Sequence, residues 1–121
     1  MFGSRDYETR KAEEITYMHW REDFLQLTEE RSKGAPAATI EANWLYEMLD
    51  YQHHPANRIM ATLPLIVYEV KNNILSEDMA DELYFAREDY EKGLLDCLPK
   101  EELEEIKKDL DYCFSKIKKA D

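Results

Sequence analysis

The chain has 121 residues, 27 acidic and 16 basic side chains, a formal net charge of −11, 44% apolar residues, three glycines and four prolines. That length supports one hydrophobic core, and that apolar content excludes a disordered chain. The charge opposes binding to nucleic-acid phosphates or anionic membranes and favours basic protein surfaces.

Scarce Gly and Pro, with abundant Glu, Lys, Leu and Ala, favour helix over sheet. Breaks at 31–39 (RSKGAPAAT), 53–57 (HHPAN), 72–78 (NNILSED) and 92–100 (KGLLDCLPK) divide the chain into about five helical segments. The first, over 6–31, has Tyr17, Trp20, Phe24 and Leu27 at helical spacing, with Ile15, Met18 and Leu25 beside them. The second, over 39–52, has Ile40, Trp44, Met48 and Tyr51, flanked by Leu45 and Leu49. Trp20 and Trp44 are expected in the core between these helices.

The third segment, over 56–72, keeps a helical period through Ile59, Leu63, Val67, Val70 and Ile74. Pro64 lies in its middle and lacks a donor, so this helix is expected to kink or split there. LPLIVYEV at 63–70 also has strand character, but no partner strand is visible elsewhere. In the fourth segment Ser76 is an N-cap, Glu77 and Asp78 occupy the first turn, and Met79, Leu83, Ala86, Tyr90 and Leu94 form the buried stripe. The fifth starts at Leu98-Pro99, with Leu103, Ile106, Leu110, Cys113 and Ile117 along one side and Lys116, Lys118 and Lys119 at its end. The expectation is one all-α domain over 1–121, an antiparallel bundle of four to five helices.

No phosphate loop, nucleophile elbow or H-E-x-x-H is present. Asp50-x-x-His53 resembles half of a di-iron bundle site, but His19 supplies no second such motif, and His19, His53 and His54 read as solvated or helix-end residues. No catalytic residue, metal site or cofactor is expected. Cys97 and Cys113 are not in a redox or zinc spacing and read as small core residues with free thiols. With no apolar h-region in MFGSRDYETRKAEE and no apolar run longer than 63–68, the expected location is the cytoplasm.

Charge is concentrated late in the chain: residues 77–111 hold fourteen acidic and five basic side chains. A solvated helix usually alternates signs, whereas Asp81, Glu82, Glu88, Asp89 and Glu91 have few evident partners. Helical spacing places Glu77, Asp81, Tyr84 and Glu88 on one outward face, with Asp78, Glu82 and Asp89 beside it. These residues and Glu91 form the expected binding surface for a cationic protein, with Tyr84 as its anchor.

Two short stretches carry a resemblance. EDFLQL at 22–27 and HHPANRIMATLP at 53–64 look like the four-helix immunity proteins of nuclease colicins and pyocins, which have a similar Phe-Leu-Gln-Leu and a His-Pro followed, eight residues on, by a second Pro. That resemblance implies a protein that binds one-to-one and neutralises a bacterial toxin domain, a basic nuclease, inside the producing cell. The family places two binding tyrosines before the second Pro, where this chain has Thr62 and Leu63, so no contact residue carries over. The chain also continues further past that Pro than the family does, so an immunity protein against a contact-dependent inhibition toxin fits equally. The competing expectations are another acidic inhibitor or nucleic-acid mimic, of the phage type, a helical-bundle metal protein, and a helical adaptor.

Overall fold

The structure, a computed structural model, describes residues 17–47 and 55–120. It is an all-α bundle, with no strand among the described residues. Helix α1 (Tyr17–Leu27) runs into a π-helical turn (Thr28–Ser32); α2 (Ala37–Glu47), α3 (Pro55–Lys71), α4 (Glu77–Glu91) and α5 (Lys100–Ala120) follow. The expected helix over 6–16 and the positions Met48, Leu49, Tyr51, Gln52, Asp50, His53 and His54 lie outside the described residues.

Helix α3 is the centre of the bundle, in contact with α1, α2, α4 and α5. It is buried on nearly every side, the polar Asn57, Thr62 and Glu69 included, and only Arg58 and Lys71 among its described side chains are exposed. Such a helix is stable in water only when neighbours enclose it. Each fully buried Leu or Ile, such as Leu63, Leu65 and Ile66, contributes about 2 kcal/mol relative to exposure. The strand alternative for 63–70 is therefore absent, and the helix continues through Pro64 as one element. It stops at Asn73, whose φ of 58° turns the chain, while the Ile74 N–H donates to the Glu69 carbonyl. Ile74 thus lies in the loop rather than on the helical stripe.

Successive helices alternate in direction. The Trp44 indole of α2 donates to the Ala61 carbonyl, and its ring stands edge-on to Phe24 at 5.3 Å. Both tryptophans are buried as expected. Arg58 near the start of α3 pairs with Glu82 in the middle of α4, whereas Glu69 near the end of α3 holds Ser76 at the start of α4. Helices α1 and α5 then lie side by side in the same sense: the Tyr17 N–H donates to Glu102, the Tyr17 hydroxyl donates to Asp109, and Arg21 pairs with Asp109 at 3.2 Å. Glu102 thereby satisfies a backbone donor at the start of α1.

Three expectations about the core are corrected. Leu94 is exposed and Leu95 is buried instead, because α4 ends at Glu91 and Gly93, at φ 78°, redirects the chain. Met18 and Leu25, beside the α1 stripe, are exposed. Cys113 is buried, and burial pushes its thiol up to about 12, but Cys97 lies in the α4–α5 turn and is exposed while its neighbour Leu98 packs inward. No helix among the described residues is long and apolar enough to cross a membrane.

One buried carboxyl sits at a junction. Glu69 is fully enclosed; its Oε1 accepts from the Ser76 N–H at 3.0 Å, and Ser76 Oγ donates to Glu41 of α2 at 2.7 Å while accepting from the Met79 N–H. Ionised Glu69 leaves Oε2 with no donor; protonated, it becomes a donor to Glu41. Burial, then the hydrogen bond to Glu41, raises the Glu69 carboxyl to about 8, opposed by the Ser76 N–H.

The folded chain therefore keeps a proton that the unfolded chain, with an ordinary carboxyl near 4.5, releases. This contribution to stability is complete below about pH 4.5 and is lost as pH rises to about 8. Glu69→Gln, which keeps both a donor and an acceptor, is expected to flatten that part of the pH–stability curve measured by urea unfolding. Tyr17→Phe removes a hydrogen bond to a buried carboxylate and is expected to destabilise by about 1.5–3 kcal/mol in the same assay.

Candidate acidic docking face

The outward surface of α4 is set by its N-terminus. Ser76 caps the helix, and Glu77 and Asp78 lie in the first turn, where the macrodipole favours them. Met79, Leu83 and Ala86 turn into the core. Glu77, Asp81, Tyr84 and Glu88 are then all exposed, together with Asp78 and Glu91, while Glu82 and Asp89 are half-buried on the side facing α3.

The structure divides these residues by partner. Glu82 receives two hydrogen bonds from Arg58, one of them from Nε at 3.2 Å, a contact across 24 residues. Lys92 pairs with Glu88 at 2.6 Å and holds its carboxyl below the usual range. Arg87 lies 3.8 Å from Glu91. The expectation that Glu82, Glu88 and Glu91 lack partners is therefore corrected. Among the described residues Glu77, Asp78, Asp81 and Asp89 make no ion pair. For Glu77 and Asp78 the helix dipole supplies compensation; Asp89, though unpaired, lies close enough to Arg58 and Lys92 to attract both, and Asp81 has no ion pair among the described residues.

Part of the acidic surplus also points inward. Glu102 and Asp109 are buried and hold α1, so they are not available to a partner.

Tyr84 is not a free anchor. Its ring stands against Phe114 of α5 at 5.3 Å, and the Arg87 guanidinium lies 5.5 Å from Tyr84 and 4.2 Å from Phe114. Tyr84 nevertheless remains 47% exposed, and Phe85 projects beside it at 55%. On a helix, residues three and four away are surface neighbours, so Phe85 is surrounded by Asp81, Glu82, Glu88 and Asp89. That spacing was legible in the sequence; the covering of Tyr84 by Phe114, thirty residues away, was not.

Between α3 and α4 lies an open groove of about 300 Å³. Ile59 and Ala86 supply its apolar floor, Phe85 one wall, and Arg58, Glu82 and Asp89 its charged rim. Such an arrangement can meet charge and apolar shape together, and Thr62, whose hydroxyl donates to the Arg58 carbonyl, completes its lining. No group of three or more metal-ligating side chains occurs among the described residues, and Asp50 and His53 fall outside them.

Because Asp81 is exposed and unpaired, Asp81→Asn is expected to change stability by no more than about 0.5 kcal/mol. Glu82→Gln, which breaks a half-exposed bidentate pair, is expected to lower it by about 0.5–1 kcal/mol. Paired thermal unfolding curves of the two variants check this contrast. No protein-family model, curated protein or solved structure matches the chain.

Proposed function

We propose that this chain is an immunity protein: it binds a basic bacterial toxin domain, of the nuclease class, through the outward face of α4 and blocks it in the cytoplasm of the producing cell. The observation that carries the reading is Phe85, an exposed apolar ring among four carboxylates, of which Asp81 and Asp89 have no ion pair. Crowded like charges lower the stability of the free fold, and an exposed ring among them loses nothing but water when a cationic apolar surface covers it. A buried aromatic with a charged rim is the usual composition of an interface centre.

The role is binding rather than catalysis, and the chain acts one-to-one without a cofactor. Long-range attraction between a chain of charge −11 and a basic domain speeds encounter, which suits a protein that must intercept a toxin before it acts. Thr62 and Leu63, the positions at which the resembling immunity family carries its binding tyrosines, are buried in α3. The contact surface of this chain is accordingly assigned to α4.

The test is co-expression with the protein encoded directly beside this gene. That protein alone is expected to arrest growth, and the chain is expected to restore it and to form a salt-sensitive complex. Asp81→Lys with Glu88→Lys is expected to weaken the complex at least about 30-fold by calorimetry, equivalent to about 2 kcal/mol, while circular dichroism remains helical. A harmless neighbour, or an affinity that ignores the double reversal, overturns the reading.

A further inference from the structure

The intrachain cations of the bundle cover rings and carboxylates in a consistent way. The Arg87 guanidinium lies over Phe114 and Tyr84 and reaches Glu91. Lys71 and Lys116 each lie 5.7 Å from the Tyr112 ring centre. Arg58 forks onto Glu82 at the edge of the α3–α4 groove. The same groove also holds a ring, Phe85, and, one turn further along α4, a carboxylate, Asp89, which attracts Arg58 and Lys92 through space without forming an ion pair with either. Among the described residues, no cation lies over Phe85 and none pairs with Asp89.

We propose that Phe85 and Asp89 together receive one arginine side chain of the basic partner. This deepens the immunity reading and rests on it for the partner's identity. The Asp89 carboxylate accepts from the guanidinium, the Phe85 ring carries its flat face, and the floor of Ile59 and Ala86 covers the methylene stem. The groove already holds one guanidinium, that of Arg58, on Glu82. With Glu82 and Asp89 ionised it keeps one net negative charge, which a second guanidinium neutralises. Arginine rather than lysine is specified because its planar head meets a ring and a carboxylate at once, whereas an ammonium is compact and strongly hydrated.

The test is a nuclear magnetic resonance titration of the full chain with N-acetyl-arginine methylamide, and with its lysine and citrulline counterparts. Arginine is expected to shift Phe85, Ala86 and Asp89 saturably, with half-saturation on the order of 10 mM. Lysine is expected to be at least about threefold weaker, and citrulline not to saturate. Phe85→Leu with Asp89→Asn, both conservative at exposed or half-exposed positions, is expected to abolish the arginine response.

Equal responses to arginine and lysine overturn the proposal, as do shifts at the exposed Tyr46 ring as large as those at Phe85. So does a dimer that forms through Phe85 and disappears in Phe85→Ser. The partner complex separates the two claims. If Asp81→Lys with Glu88→Lys weakens it but Phe85→Leu with Asp89→Asn does not, the arginine site falls and the immunity reading stands. If the neighbouring protein does not bind at all, the immunity reading falls, and the titration still decides whether the groove selects arginine.

Discussion

A mostly apolar helix that buries nearly every side has to be enclosed, and α3 imposes that requirement on the whole bundle. Four helices surround it, and each takes its position from what α3 presents. Trp44 locks α2 onto the Ala61 carbonyl, while Phe24 of α1 meets both Trp44 and Tyr68 edge-on. The orientation of α4 is fixed at one end by Ser76, held between Glu41 and Glu69, and further along by Arg58 and Glu82. With Met79, Leu83 and Ala86 committed to the core, the outward residues of α4 have no choice of direction. The acidic face is thus a by-product of enclosing α3.

The negative charge of the chain is of three physical kinds. Glu102 and Asp109 are structural, replacing water for donors on α1. Glu82, Glu88 and Glu91 are neutralised by neighbours, two of them within one turn of their own helix. Glu77, Asp78, Asp81 and Asp89 make no ion pair among the described residues, although Asp89 attracts Arg58 and Lys92 through space. Formal charge counts all of these alike, although a paired carboxylate contributes less to the field outside the molecule than an unpaired one. The outward negative field is consequently more localised than the total of −11 suggests.

Sequence reasoning recovered what local rules control. The helix class, the Ser76 cap, the start of α5 after Pro99 and the stripe of α5 from Ile106 to Cys113 all follow from spacing and end chemistry. It understated α3, because periodicity looks for one apolar face and here even the polar residues Asn57, Thr62 and Glu69 are buried. The burial of Glu69 goes with a backbone donor seven residues on, which no propensity encodes. On α4 the Lys92–Glu88 and Arg87–Glu91 pairs stood at i,i+4 spacing and were accessible to inspection, whereas Arg58–Glu82 required the tertiary fold. The contact of the exposed Tyr84 with Phe114 has the same origin, since Phe114 reaches it from across the bundle.

The bonds from Tyr17 to Glu102 and Asp109 connect positions 85 and 92 apart in the chain. During synthesis at ~5–20 residues per second, the start of α1 waits roughly 5–18 s for Asp109 to be made. Helix α3 is complete at Lys71, so at the same rate its apolar residues wait roughly 2–8 s for Asp109 of the last covering helix. The bundle therefore closes late, because its central helix is made before the last helix that encloses it.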